Sequence, residues 1–395
     1  MTNVRAPDAS APWVIVAGSF HDHGGMDKAN AALARHLLDR GSEVHLVAHS
    51  VTDDLARRPN ACVHLAAHPA GSFLLGESVL HRLGRRIARE VTTRAPATRV
   101  VANGSNCNWP GLNWVHYVHH AANRYDASAP AWFRVKHRIT SARARAGERR
   151  ALGRARTLVA NSERTRDDLV TRLGIEPERV RVVYLGSDPT WMPASEPEIA
   201  AARTWLGATP GRPVVVFVGA MGYDERKGFD TLWAAWRALC ATPDWDADLW
   251  VAGGGRGLPR WVERTARAGL SHRIRFLGFT QRVRDLLAAA DLLVSPVRYE
   301  PYGLNVQEAI CRGVPAVVSR VAGAAERYGP LQEGLLLASS DDVAGLVRTL
   351  RSWRSEMTAW KQRFAPLSAA LRTHTWEAMA AEIEALGGLS SPAPH

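Results

Sequence analysis

Two carboxylates, Glu300 and Glu308, stand eight positions apart in RYEPYGLNVQEAICRGVPAVVS, residues 298–319. Pro301 and Gly303 between them make a turn, and LNVQEAICRG after it reads as a helix closed by Gly313. At such a helix start the amides of Gly303, Leu304 and Asn305 have no intrahelical acceptor and can hold a phosphate without a cation. Glu308, in the first turns of the helix, has the chemistry to accept both hydroxyls of a ribose, as acidic groups do in nucleotide folds. Glu300 falls on the far side of the phosphate position and meets whatever the phosphate carries. Tyr302 sits inside the same turn.

Three more loops carry reactive side chains. In GAMGYDERKGFD (219–230) the cations Arg226 and Lys227 precede Gly228 at a helix start, where side chains and helix dipole together neutralise a diphosphate. In GSFHDHGGMD (18–27) Gly24 and Gly25 let backbone come close to a ligand, and the helix that follows faces an anion. That loop is not GxGxxG, and no acidic residue closes the next strand, so a dinucleotide-dependent dehydrogenase is poorly supported. His21 and His23 lack a third metal ligand; the expectation is a polar loop and no metal. The third loop follows WVHYVHH (114–120). Read as an alternating strand, it turns His116, Val118 and His120 one way and His119 the other. No GxSxG elbow partners these histidines, so hydrolase chemistry is poorly supported.

The elements that must position these loops alternate between short β-rich runs and helical stretches, twice over. WVIVAG, EVHLVAH, RVVAN, WVHYVHH, TLVANS and VRVVYLG are strands of the first half, with a helix over Gly24–Gly41 after the first. VVVFVG, DLWVAGGG, IRFLGF, DLLVSP and PAVVSR are strands of the second, with a helix from about Gly228 to Leu239. Ser187–Pro213, dense in Pro, Ser and Ala, reads as the connection between them. A last helix around Thr375–Leu386 precedes a tail expected to be disordered. The expectation is an α/β chain of two doubly wound parallel-sheet domains, residues 1–190 and 191–370, with residues 371–395 as a C-terminal helix returning toward the first. Ligands then lie beyond the carboxyl ends of the strands, in a cleft between domains.

Composition agrees with a globular chain: 46% apolar and 22% charged over 395 residues. The longest apolar run, Val214–Met221, is far short of the roughly 20 residues a membrane span needs. Trp13–Ala17 ends at once in Gly-Ser and reads as a first strand, not a secretion signal. Cys62, Cys107, Cys240 and Cys311 lack metal-ligand spacing and read as reduced buried thiols of a cytoplasmic protein. The net charge of +12 is concentrated in Arg124–Arg156, which holds ten Arg and Lys against Asp126 and Glu148. It reads as a solvated helix face, or as a patch that attracts an anionic membrane surface or an acidic substrate; no nucleic-acid module accompanies it.

Glu300-x7-Glu308 within YEPYGLNVQEAICRGVPAVVS resembles the signature segment of retaining GT-B glycosyltransferases of family 4. GGMDKANAALARHLLDRG, ERRALGRARTLVANSERTRDDL, VRVVYLGSD, FVGAMGYDERKGFDTL, FLGFTQRVRDLLAAADLLVSP and the helix at Trp376 are similar to the family along most of the chain. The resemblance implies two Rossmann-like domains, an N-terminal one for the acceptor and a C-terminal one for a nucleotide sugar. It implies Glu300 on donor-sugar hydroxyls, Glu308 on the ribose, and Tyr302, Gly303, Leu304 and Asn305 around the phosphate or sugar. Arg226 and Lys227 would stabilise the departing diphosphate, His119 would sit near the reacting sugar, and Gly24 and Gly25 near the phosphates and acceptor. No metal and no cofactor are implied beyond the nucleotide-diphosphate sugar as co-substrate; the acceptor is a saccharide, a lipid-linked molecule or a small molecule. The sequence departs from the family at Ala220, where many members carry an arginine. Either Arg226 takes that role or the leaving group is held differently. A GT-B phosphorylase or synthase, and a non-catalytic nucleotide-sugar-binding protein, are the alternative readings.

Overall fold

The computed structural model describes residues 11–22, 24–69, 73–122 and 129–389. The chain divides into two compact units, formed by the described residues of Met1–Ala121, Trp132–Gly186 and Thr375–His395, and of Ala122–Ala131 and Ser187–His374.

The first unit contains strands β1 (Trp13–Val16), β2 (Ser19–Phe20), β3 (Val44–Ala48), β4 (Ser50–Val51), β5 (Ala61–Leu65), β6 (Arg99–Asn103), β7 (Leu112–Val115), β8 (Thr157–Ala160) and β9 (Val180–Val182). Seven of them form one sheet in the order β5-β3-β1-β6-β7-β8-β9, every pair parallel. Helices α1 (Gly25–Asp39), α2 (Asp53–Ala56), α3 (Phe73–Arg94), α4 (Ala131–Arg154) and α5 (Glu163–Leu173) connect the strands. Both faces are covered, which is why β1 and β3 are buried at every position rather than alternating.

The second unit has strands β10 (Val214–Val218), β11 (Asp248–Ala252), β12 (Ile274–Gly278), β13 (Leu292–Ser295), β14 (Ala316–Ser319) and β15 (Leu336–Leu337). They pair in parallel in the order β12-β11-β10-β13-β14-β15. Its helices are α6 (Glu196–Leu206), α7 (Phe229–Cys240), α8 (Leu258–Arg267), α9 (Val283–Ala289), α10 (Leu304–Cys311), α11 (Val343–Ser355) and α12 (Met357–Thr373). Val-rich strands and the aromatic rings of Phe217, Phe229, Trp233, Trp236 and Trp261 fill one core. The doubly wound parallel α/β class expected from the alternation of strands and helices is therefore observed in both units.

Three readings need correction. WVHYVHH is strand only to Val115; residues 116–120 turn away from the sheet, so the alternating-strand placement of the histidines does not hold. Ser187–Pro213 is not merely a connection. It contains α6, started by a capping box between Ser195 and Glu198 and stopped at Gly207. Of the four cysteines, Cys107 and Cys311 are buried, whereas Cys62 and Cys240 are only half-buried. The C-terminal tail (390–395), Arg124, Asp126 and His23 lie outside the described residues. The last helix, α13 (Trp376–Leu389), packs on α1 within the first unit. Between them His36 Nε2 and Glu384 Oε2 lie 2.9 Å apart, with both side chains buried.

Candidate functional site

In the second sheet β10 lies between β11 and β13, so chain order reverses there. Crossovers leave β10 and β13 in opposite directions, and the loops that follow them open a crevice at the strands' carboxyl ends. The loop after β10 carries Arg226 and Lys227; the loop after β13 carries Glu300, Tyr302 and Gly303. Lys227 Nζ is ion-paired with Glu300 Oε2, with side-chain exposures of 20% and 15%. The pair joins two positions 73 residues apart. Low exposure strengthens such a contact relative to a surface pair.

The backbone fixes this arrangement. Glu300 bridges to Ala322 in parallel, and its carbonyl accepts from the Gly323 amide at 3.1 Å. The Ala324 amide donates to the Tyr302 carbonyl at 2.6 Å, and the Tyr302 hydroxyl donates to Gln307 Oε1. Gly303 has φ +104, a left-handed conformation that side-chain-bearing residues rarely adopt, so the turn needs glycine. The first amides of the helix start with a local partner are those of Val306 and Gln307, both bonded to the Gly303 carbonyl. The amides of Gly303, Leu304 and Asn305 have no partner among the described residues. Asn305 uses its side chain instead: Nδ2 donates to the Val218 carbonyl at 3.0 Å, tying α10 to the end of β10. Glu308 is half-buried on α10.

Arg226 is turned back onto its own loop, its Nε 3.2 Å from Asp224 Oδ2. Ala220 is exposed, and it shares a small depression with Lys227 and Arg260 of α8. Gly228, at φ +67, packs so closely that a Cβ would meet the Pro296 carbonyl oxygen at 1.8 Å. Sequence reasoning missed the residue that holds this loop, Arg298. Its guanidinium makes two bonds of 2.6 Å to the Asp230 carboxylate, one of 2.7 Å to Asp341 and one of 2.7 Å to the Glu225 carbonyl. Glu225 is the one non-glycine residue with positive φ (45°) among the described residues. Burial opposes the Arg298 charge, but Asp230 and Asp341 outweigh it and raise its pKa above the ordinary arginine value. A lone arginine before a Glu-Pro turn carried no pattern that pointed to this role.

In the first unit Gly24 caps α1 with φ +81, and Gly25 is the helix's first residue. Asp27 lies in that first turn. His119 is half-buried, its ring 4.9 Å from that of Tyr117. Its amide donates to Glu148 Oε1 at 2.8 Å, while the His120 amide (3.1 Å) and Nδ1 (2.6 Å) reach Glu148 Oε2. The buried Glu148 of α4 thus shapes the turn that presents both histidines, a second residue the sequence reading missed. Ala151 and Leu152 of α4 are also buried, whereas its exposed positions are largely cationic, among them Arg134, Lys136, Arg138, Arg143, Arg149 and Arg150. The ring nitrogens of His116 are buried with no hydrogen bond among the described residues, and burial pushes its pKa down to about 3. No helix among the described residues is long and apolar enough to cross a membrane.

Residues 23–191 match the family model described as "Glycosyltransferase Family 4", and residues 212–354 the one described as "Glycosyl transferases group 1". The chain is 32% identical over 224 residues to a D-inositol 3-phosphate glycosyltransferase of Rhodococcus jostii, covering 54% of this chain and 48% of that protein. It is 32% identical over 218 residues to a 2-deoxystreptamine N-acetyl-D-glucosaminyltransferase of Streptomyces fradiae, covering 54% and 50%. The chain thus spans about half the length of these curated relatives. In fold it is similar to a sucrose-phosphate synthase from Thermosynechococcus elongatus, with a TM-score of 0.73 at 18% identity over 94% of this chain and 97% of that one. That likeness is one of fold, the GT-B arrangement of two Rossmann-like domains.

Proposed function

We propose that this chain, which belongs to glycosyltransferase family 4, moves a sugar from a nucleotide-diphosphate donor to an acceptor hydroxyl with retention at the anomeric carbon. The observation that carries the reading is the Lys227–Glu300 pair beside the Gly303 turn, at the switch point of the second sheet. A diphosphate on the amides of Gly303, Leu304 and Asn305 draws Lys227 away from Glu300. The released carboxylate then accepts hydroxyls of the donor sugar, and Glu308 takes the ribose.

In the reaction the bond from the anomeric carbon to the diphosphate oxygen breaks, and a bond to the acceptor oxygen forms on the same face. The acceptor's proton passes to the departing diphosphate. Lys227 and Arg226, swung from Asp224, stabilise the charge growing on that diphosphate, the electrostatic term that dominates such chemistry. Arg226 supplies the second cation that Ala220 cannot. His119 and the Gly24–Gly25 loop serve the reacting sugar and the acceptor. The names of the two relatives, one built on a polyol phosphate and one on an aminocyclitol, support a small hydroxylated acceptor. The cationic α4 supports peripheral contact with an anionic membrane on the cytoplasmic side.

The test is a panel of nucleotide sugars, with nucleoside diphosphate release followed with and without acceptors and product configuration read by NMR. Acceptor-dependent release with retained configuration is expected. Nucleotide-sugar binding without any release, even slow hydrolysis, would sink the transferase reading; an inverted product would sink retention.

A further inference from the structure

The first unit contains a basic pocket that the donor chemistry leaves unused. It is a cavity of about 350 Å³ between α3, α4 and the turn that follows β6. His81 and Arg82 come from α3, Arg143 and Arg150 from α4, and Ser105 and Asn108 from the turn. Gly147 brings α4 close to the turn: a Cβ there would lie 3.4 Å from Ser105 Cβ. Glu77 is the one carboxylate in the lining, so three arginines face a single acid. An adjoining depression of about 380 Å³ shares His81 and Arg82 and adds Arg85 and Arg86.

Two polar atoms here are unsatisfied. Asn108 Oδ1 and Arg85 Nε are buried with no hydrogen bond among the described residues. Leaving such atoms unpaired costs roughly 1–3 kcal/mol each, and native structures rarely do so without a reason. The positive field also acts on His81, whose pKa is lowered first by burial and then by Arg85, Arg150 and Arg82. An anion answers the arginines, and a hydroxyl answers Asn108. The pocket opens at the carboxyl end of β6, beside β1 where the order of the first sheet reverses.

We infer that this pocket binds the phosphate ester of a hydroxyl-bearing acceptor. Arg82, Arg143 and Arg150 take the phosphate, and Asn108 and Ser105 take hydroxyls. Calling the ligand an acceptor rests on the transferase reading; the phosphate-ester chemistry does not. The ester is either a soluble polyol or sugar phosphate or the headgroup of a lipid. The lipid source enters because Trp132, Val135 and Ile139 are exposed along α4, the helix that also carries Arg143 and Arg150.

Calorimetry on the full chain would compare inorganic phosphate, glycerol 3-phosphate and hexose phosphates with glycerol and free hexoses. Sedimentation would compare phosphatidylglycerol with phosphatidylcholine vesicles. Phosphorylated forms should bind about tenfold or more tightly than unphosphorylated ones, one charge-assisted contact being worth that much. Arg143→Ala, and Asn108→Asp, which sets a second anion in the pocket, should each weaken binding about tenfold, with Arg143→Lys recovering part. Urea unfolding curves that match those of the parent chain serve as the check on folding. Binding only to phosphatidylglycerol, lost in the same variants, assigns the ester to a lipid. Equal affinity for phosphorylated and free polyols, or unchanged binding in Arg143→Ala, overturns the inference. Nucleotide-sugar turnover separates the two readings: turnover with the same acceptor KM in the variants refutes the pocket and leaves the transferase intact. Selective phosphate-ester binding without turnover does the reverse.

Discussion

Replacing Lys227 by Met removes the ammonium and keeps most of the stem. Glu300, 15% exposed, then loses the cation beside it. That should cost about 1–3 kcal/mol of stability, toward the lower end because the site is partly wet. The catalytic loss should be larger and differently placed. If Lys227 stabilises charge that grows only as the diphosphate departs, kcat should fall about 10²–10³-fold, or about 2.7–4 kcal/mol, while donor KM moves by less than about fivefold. The second variant, Glu300→Gln, separates the two effects. Lys227→Met/Glu300→Gln should recover most of the lost stability, since no unpaired carboxylate remains, and none of the lost kcat. Urea unfolding and steady-state kinetics on the four members of the cycle measure both. Recovery of kcat in the double variant, or equal losses in kcat and 1/KM, would show that Lys227 serves only to neutralise Glu300.

Arg298→Met should destabilise the second unit by about 3 kcal/mol, because Asp230 and the Glu225 carbonyl lose their buried donor; a change under about 1 kcal/mol in urea unfolding contradicts its role as the anchor of the Arg226–Lys227 loop. Glu384→Ala leaves His36 without its partner in the α1–α13 seam and should lower stability by about 1.5–3 kcal/mol, with protease cleavage appearing first near the C-terminus. For His116, burial lowers the folded pKa to about 3 from the ordinary 6.5. Above pH 6.5 both states are neutral; below it the unfolded chain alone takes the proton, so stability falls as pH drops toward 3. His116→Met should remove that part of the acid sensitivity, at most about 1.4 kcal/mol per pH unit, and parallel acid-unfolding curves for the two proteins would refute it.

Strands were legible where β-branched runs meet glycine, as at VVVFVG, because buried parallel strands leave a continuous apolar trace. The end of β7 was not. His119 and His120 look like strand by composition, and what bends them is Glu148, some 28 residues further on. Helix α6 was legible in principle: Ser195-x-x-Glu198 and Gly207 are start and stop signals, outweighed in the reading by the surrounding prolines. The residue types of the donor loops were readable, but their pairing was not. Lys227 meets Glu300, and Asn305 meets Val218, through contacts 73 and 87 positions apart that only the sheet order brings together.

The first unit is also not completed by its own first stretch of chain. α13 covers α1 only after Ser187–His374 has been made, and Gly387 lies where a Cβ would touch the Trp13 ring at 2.5 Å. On the ribosome the second unit therefore emerges whole while the first still waits for its closing helix. Released alone, the N-terminal half would present the bare α1 face to solvent, and α13 supplied as a separate peptide should restore it.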